Sequence, residues 1–472
     1  MPRYFVTLII AVALFMETMD STVIATSLPA IAADLGEDPI ALKLALTSYL
    51  LSLAVFIPIS GWMADRFGAR TVFRAAIVVF AIGSAACGFA QGLPDFIGFR
   101  ILQGMGGAMM VPVGRLVILR SIPKAELISA LAWLTVPALM GPVLGPPLGG
   151  FITTVFEWRW IFWINIPIGL LGFVLATRYI ENFREETVPP LDIKGFFLSG
   201  IGLTGIAFGF TTIGQGLFPT SVVIGLMAVG VTSVFLYIRH AHKVPNPLLD
   251  LDLLKIDTFY ASVVGGFLFR IGVGAAPFLL PLFFQLGFGM TALQSGLLTF
   301  ATAIGAIAMK TTAAPILRRL GFKRILVWNA LLSAAFIAAT ALFTSVTPNA
   351  VILAVLLVGG FFKSLQFTAI NSIAYADIHE KAMSRATSFA SVAQQLSMSA
   401  GVATGALVLE VERMGRDSHQ VLASDFPAAF LLVGALAASS ALVFMRLPKD
   451  AGSSLSRRAH AVGEPRETVE QI

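Results

Sequence analysis

Charge is the scarcest ingredient of this 472-residue sequence: only 12% of its residues are Asp, Glu, Lys or Arg, about half of what a soluble domain carries. Cysteine is nearly absent too. The single Cys87 lies in an apolar run, which excludes a disulfide framework and a thiolate metal site. The five histidines, His240, His242, His379, His419 and His460, fall in predicted loops or the tail, against a buried His-ligated metal. No G-x-x-x-x-G-K-[S/T] loop is present, so ATP hydrolysis within the chain is not expected. No apolar segment carries His/Glu metal spacing or a nucleophile–base pair, which argues against an intramembrane hydrolase. The net charge of +6 could suggest nucleic acid as a partner, but the basic residues are scattered over many short loops.

Apolar sequence fills the space that charge leaves. Hydrophobic residues make up 57% of the chain and the mean hydropathy is +0.86. Segments of about 20 apolar residues, the length that crosses a hydrocarbon core, fall near 4–30, 44–63, 71–90, 95–117, 127–155, 159–179, 194–214, 219–238, 258–287, 292–314, 324–345, 349–375, 386–411 and 427–446. The first is interrupted by Glu17 and Asp20 and followed by thirteen more, so it is expected to be an uncleaved span rather than a signal peptide. An even number of spans puts both ends on one side. Of the 32 Lys and Arg, four would face outside (Lys43, Arg159, Arg413, Arg416), four lie within spans (Arg100, Arg270, Lys310, Lys363) and 24 lie inside. The positive-inside rule then predicts cytoplasmic termini.

A faint internal repeat runs at offsets of roughly 250–265 residues. Arg66-Phe67-Gly68-Ala69-Arg70 is echoed by Arg319-Leu320-Gly321-Phe322-Lys323, Arg100-x-x-Gln103 by Lys363-x-x-Gln366, and Leu28-Pro29 by Leu280-Pro281. Such echoes predict two helical halves with a site near the midplane between them.

Four stretches carry the chemistry. In the first span, Glu17 and Asp20 are three residues apart and share a helix face. Carboxylates at membrane depth are costly and normally functional, so they are candidate proton carriers; the competing role is structural, locked to membrane arginines. Gly61-Trp62-Met63-Ala64-Asp65-Arg66-Phe67-Gly68-Ala69-Arg70 joins spans two and three. Gly61 permits close helix approach, Gly68 a tight turn, and Asp65 could sit at a neighbouring helix N-terminus. Arg100 in span four needs a carboxylate or carbonyl partner and, near Asp20, would ease that acid's deprotonation. Gly141-Pro142-Val143-Leu144-Gly145-Pro146-Pro147-Leu148-Gly149-Gly150 lies in span five. Such a density of helix breakers survives in membranes where neighbours re-satisfy the backbone and small residues pack closely.

The remaining intramembrane cations divide. Lys310 lies close to the inner end of its span and is expected to snorkel. Arg270 and Lys363 lie near mid-depth, where they would either pair with Glu17 and Asp20 across the halves or bind an anionic substrate. Gln285, Asn371, Gln394 and Gln395 could add polar contacts to a cavity or simply bond helix to helix. The aromatic run Trp158, Trp160, Phe162 and Trp163 reads as an interfacial belt, and the adjoining Asn165 is given no role.

Taken together, these motifs resemble the major facilitator superfamily: the Gly61–Arg70 loop its motif A, the Arg100 stretch its motif B, and the Gly141–Gly150 stretch its antiporter motif. Asp20 with Thr22 and Leu28-Pro29 resembles the first span of the fourteen-span drug:proton antiporters, in particular an MdtD-like branch; Glu17 is an addition to that pattern. The resemblance covers nearly the whole chain. It implies an all-α polytopic fold: a six-helix bundle over 1–180, two linker spans over 181–257, a second six-helix bundle over 258–447 and a disordered cytoplasmic tail over 448–472. It further implies a non-enzymatic inner-membrane exporter of lipophilic compounds in exchange for protons, monomeric, with lipid and small-molecule partners, no nucleic acid and no cofactor beyond the proton gradient. Positive charge outnumbers negative at mid-depth, so an anionic or zwitterionic amphiphile such as a lysolipid stands as an alternative substrate. Proton-coupled uptake on the same fold is another alternative, and a receptor or assembly role a third; the short tail offers no signalling domain for the last.

Overall fold

Fourteen long helices account for the architecture. The computed structural model describes residues 4–122, 127–186, 188, 190–212, 219–379, 382–415 and 420–452, and for Leu119, 127–139, Thr311, Ala314 and Arg318 the backbone only. Lys124, Arg416, His419 and His460 lie outside the described residues, as does the expected tail from residue 453 onward. In chain order the helices are α1 Tyr4–Leu35, α2 Lys43–Phe67, α3 Ala69–Cys87, α4 Leu93–Ser121 and α5 Leu127–Val155. There follow α6 Trp160–Tyr179, α7 Ile193–Thr212, α8 Thr220–Ala241 and α9 Asp257–Gly287. The last five are α10 Ala292–Leu320, α11 Phe322–Ala339, α12 Asn349–Ile373, α13 Met383–Met414 and α14 Phe426–Phe444. Thirteen of them are long and apolar enough to cross a membrane among the described residues, and α5, at 29 residues, completes the set.

Helices α1–α6 pack on one another, as do α9–α14; α5 meets α10 and α2 meets α13 across the seam, with α7 laid against α2 and α13 and α8 packed on α7. Loops alternate between two faces. The basic face carries the Gly68 and Gly321 turns; the far face carries the 36–42, 156–159 and 288–291 connections. Burial sorts the helices radially. The most apolar windows of α2 and α9 are 72% buried but that of α8 is only 22%, so α8 is left to face lipid. Lipid tails are as apolar as leucine, so helices in a bilayer associate by close packing rather than by hydrophobic burial. Here Gly106 of α4 sits on the backbone of Phe80, and Gly205 of α7 on that of Gly230 of α8.

The repeat is visible in the turns. Gly68 (φ 94°) ends α2 and opens α3, and Gly321 (φ 76°) does the same between α10 and α11. Both lie in the left-handed region that favours glycine. Pro29 and Pro281 lie inside α1 and α9. Some expectations need correction. Helix α10 continues past Lys310 to Leu320, and exposed Lys310 donates to Thr368 Oγ1 at 2.9 Å. His240 is in the last turn of α8, not a loop, 2.7 Å from Asp192. Lys43 is the first residue of α2 and Arg413 belongs to the last turn of α13. The aromatic run divides: Trp160 is exposed, while Trp158 and Phe162 are buried against Phe96.

Candidate functional site

The first half holds a polar knot in an otherwise apolar interior. Asp20 of α1 and Arg100 of α4 form an ion pair, with Arg100 Nη1 donating to Asp20 Oδ2 at 2.7 Å. The other carboxylate oxygen accepts from Gln103 Nε2 at 2.8 Å and from Asn165 Nδ2 at 3.0 Å. Arg100 also donates to Gln103 Oε1 (2.6 Å) and to the Ala45 carbonyl (3.3 Å), and its guanidinium lies 4.2 Å from the centre of the Tyr49 ring. Arg100 and Gln103 are wholly buried and Asp20 is 3% exposed. Buried charges persist when paired and hydrogen-bonded, and here five helices contribute to one network, Ser84 of α3 accepting from Asn165 at 3.0 Å, with Arg100 Nη2 and Asn165 Oδ1 left without a partner.

Glu17, one turn earlier on α1, is buried beside the knot. Its Oε1 accepts the Tyr49 hydroxyl at 3.3 Å, and no cation pairs with it among the described residues. Tyr49 therefore touches both systems, through its ring to Arg100 and through its hydroxyl to Glu17. Proton exchange at Glu17 breaks no ion pair, whereas exchange at Asp20 requires Arg100 to change partner.

The glycine-rich stretch of α5 lies directly against α1. Gly141, Gly145 and Gly149, at helical spacing, face Thr18, Thr22 and Val23, where an added Cβ would collide with a threonine hydroxyl or the main chain. Thr22 Oγ1 donates to the Gly141 carbonyl at 3.2 Å and Ser27 Oγ lies 2.6 Å from Thr153 Oγ1. Gly150 points the other way, its missing Cβ 2.8 Å from Leu293 Cα of α10, and Gly296 of α10 rests on the Pro146 backbone. Pro142, Pro146 and Pro147 are carried inside an unbroken helix.

On the basic face, Asp65 meets not a helix N-terminus, as expected, but Arg120 of α4, at 3.0 Å; Arg120 also contacts Glu185 at 2.6 Å. Arg70 Nη1 donates to the Ile180 carbonyl. Gly61 lies in open space, with nothing within 4 Å of a built Cβ, so its expected role in close helix approach is not visible in this arrangement; Arg66 is exposed on the same turn.

The second half is built differently. Arg270 of α9 does not reach Glu17 or Asp20. Its Nη2 donates to Asn371 Oδ1 of α12 at 2.8 Å, and its guanidinium lies 5.2 Å from the Phe367 ring. Lys363, half-buried on α12, has no hydrogen bond or ion pair among the described residues. Gln285 spans the two halves, donating to the Thr26 carbonyl at 2.9 Å. Gln394 and Gln395 are half-buried on α13.

Several participants were not singled out from sequence. Gln103 counted only as part of the repeat, and Asn165 and Tyr49 not at all, although a polar residue inside an apolar span was the available signal for Asn165. Lys43 and Glu410 pair across the halves at 3.3 Å, both almost wholly buried, and Arg413 pairs with Asp38 close by.

Two repeated helical halves around buried intramembrane charge are the architecture of a membrane transporter. The chain belongs to the major facilitator superfamily: the Major Facilitator Superfamily profile matches residues 10–402 and 262–469. It is 35% identical over 450 residues to "Putative multidrug resistance protein MdtD" of Serratia proteamaculans, covering 94% of this chain and 93% of that protein. To the protein of the same name in Yersinia pestis (strain Pestoides F) it is 36% identical, covering 94% and 96%. Among solved structures it resembles a D-xylose–proton symporter (TM-score 0.67, 16% identity, 95% of this chain and 99% of that one). It likewise resembles the nucleoside transporter NupG (TM-score 0.66, 12% identity, 93% and 99%). At these identities the structural likeness concerns the fold.

Proposed function

We propose that the protein exports lipophilic and amphiphilic compounds from the inner membrane in exchange for protons, by alternating access, with both termini cytoplasmic. The observation that carries this reading is the knot of Asp20, Arg100, Gln103 and Asn165. It can hold Asp20 in either protonation state. With Asp20 ionised, Arg100 neutralises it. With Asp20 protonated, Gln103 and Asn165 still donate to Oδ1, while Arg100 retains Gln103 Oε1, the Ala45 carbonyl and the Tyr49 ring. Protonation thus loosens one tie between α1 and α4 while leaving both side chains hydrogen-bonded, and it leaves Arg100 in need of a new counter-charge, which biases the helices to move. Because α1 also packs on the glycine face of α5 and touches α9 of the other half, a change at Asp20 is placed to bias the rocking of the halves. Glu17 supplies a second acid on the same face. No cofactor enters this scheme; the energy source is the proton gradient.

The relatives' name supports a multidrug substrate range, and the distribution of basic residues supports a cytoplasmic basic face. In this arrangement the polar ties between the halves, Lys43–Glu410, Asp38–Arg413 and Thr26–Gln285, gather toward the far face, which corresponds to a state closed to the outside. The test is reconstitution of the full chain in liposomes with an imposed pH gradient, following internal pH as tetraphenylphosphonium or ethidium is added. Substrate-dependent proton flux above that of protein-free liposomes is expected. Flux absent with every lipophilic compound would overturn export by antiport, and flux in the direction of co-transport would replace export by uptake.

A further inference from the structure

The two halves handle buried charge unequally. In the first, the acid on α1 answers the arginine on α4. In the second, the corresponding helices are α9 and α12, related to α1 and α4 by the same offsets that relate Gly68 to Gly321 and Arg100-x-x-Gln103 to Lys363-x-x-Gln366. There α9 contributes Arg270 and α12 contributes Lys363. Both are cations.

Among the described residues neither finds a carboxylate. Arg270 is 1% exposed, and its Nε and Nη1 make no hydrogen bond. Its polar partner, Asn371, is neutral. Gly266, one turn before it, leaves the space that the guanidinium fills. Gln366, the counterpart of Gln103, is turned away, donating to the Leu326 carbonyl and accepting from Asn329. Lys363, Phe367 and Asn371 recur every four residues along α12 and so share one face; Arg270 meets that face at Phe367 and Asn371, and Lys363 lies one turn beyond Phe367. Asp377, the acid near the end of α12, accepts from Thr258. A buried cation without a counter-charge is costly, and two on one face are costlier. Guanidinium groups suit carboxylate and phosphate, to which they donate in pairs.

We propose that Arg270 and Lys363, with Asn371 as the positioning residue, form an anion subsite that takes the acidic headgroup, carboxylate or phosphate, of an amphiphilic substrate. The inference deepens the export reading and rests on it for access to the site. Phe367 and the apolar walls of α9 and α12 receive the part of the substrate next to the headgroup. The free Nε and Nη1 of Arg270 donate to the headgroup, and Lys363, half-buried further along the same face, supplies the second positive charge.

The experiment is equilibrium binding to the full chain in neutral-lipid nanodiscs, without a pH gradient, so its outcome does not depend on proton coupling. The probe is 11-(dansylamino)undecanoate, compared with its methyl ester and corrected for protein-free discs. About tenfold tighter binding of the carboxylate is expected. Arg270→Gln and Lys363→Gln should each bring that ratio close to one, and Lys363→Arg should keep it. Dodecyl phosphate and decanoate serve as competitors, the stronger identifying the preferred headgroup; dodecyltrimethylammonium should compete poorly. Equal binding of acid and ester, or a ratio unmoved in Lys363→Gln, would overturn the proposal. Lys363→Gln, at a half-buried position, keeps the test decisive should Arg270→Gln fail to fold. Acid-selective binding together with absent proton flux would instead count against the antiport reading alone.

Discussion

Lys43 and Glu410 lie 367 positions apart in sequence and 3.3 Å apart in space, joining the first turn of α2 to the far end of α13 where the two halves meet. Their side chains are 1% and 2% exposed. Removing one partner of such a pair strands a buried charge, at a cost of about 3–5 kcal/mol.

Glu410→Ala should therefore destabilise the far-closed state. In a Cys87→Ser background, a cysteine at Thr153 should react faster with an impermeant thiol reagent added from the far side in Glu410→Ala. The exchange Lys43→Glu with Glu410→Lys should slow it again. Equal labelling in all three proteins would show that the pair does not hold the face shut.

Asp20→Asn keeps the shape of the side chain but removes its charge. Gradient-driven transport should be lost; Gln103 and Asn165 can still bond the amide oxygen, but Arg100 is left buried without its counter-charge, so the melting temperature in detergent should fall as well. Gln103→Leu and Asn165→Leu should each slow coupled transport by a smaller factor. Wild-type pumping by Asp20→Asn would remove that residue from the mechanism.

The contact between α1 and α5 admits a paired test. Gly145→Ala places a methyl group on the Thr22 hydroxyl and should lower the melting temperature and the transport rate. Thr22→Ala should recover part of both losses when combined with it. A double-mutant cycle without coupling would mean that the helices do not meet there during transport.

Gly321 separates backbone conformation from packing. A Cβ there would meet nothing within 4 Å, yet φ is 76°. Gly321→Ala should cost about 1–3 kcal/mol, and Gly321→Asn no less, since with ψ at 156° the backbone lies outside the left-handed helical well in which Asn is tolerated. Gly68→Ala, which adds a collision with Asn182, should cost more. Thermal unfolding in detergent decides the order.

Helix number and approximate limits were legible because the bilayer forces long, nearly charge-free runs, and the repeat was legible because two turns of the same shape require Gly68 and Gly321. The Asp20–Arg100 pair was half-legible: each residue declared itself by its cost, but nothing in the spacing says that α1 and α4 touch. Asn165 was hidden because a neutral amide among Trp163, Ile164 and Ile166 costs little enough to pass as helix-to-helix glue. Lys43 and Arg413 were read as loop charges because hydropathy marks where apolar sequence stops, not where the helix does. Their carboxylate partners, Glu410 and Asp38, are brought by the other half of the molecule.

At the far face, Gly150 lets α5 settle onto the main chain of Ala292 and Leu293, and Gly296 lets α10 settle onto that of Pro146. The seal there is made by backbone against backbone rather than by a side-chain plug. A joint of this kind has no side chain that can swing aside, so opening the far face there requires α5 and α10 to part as whole helices.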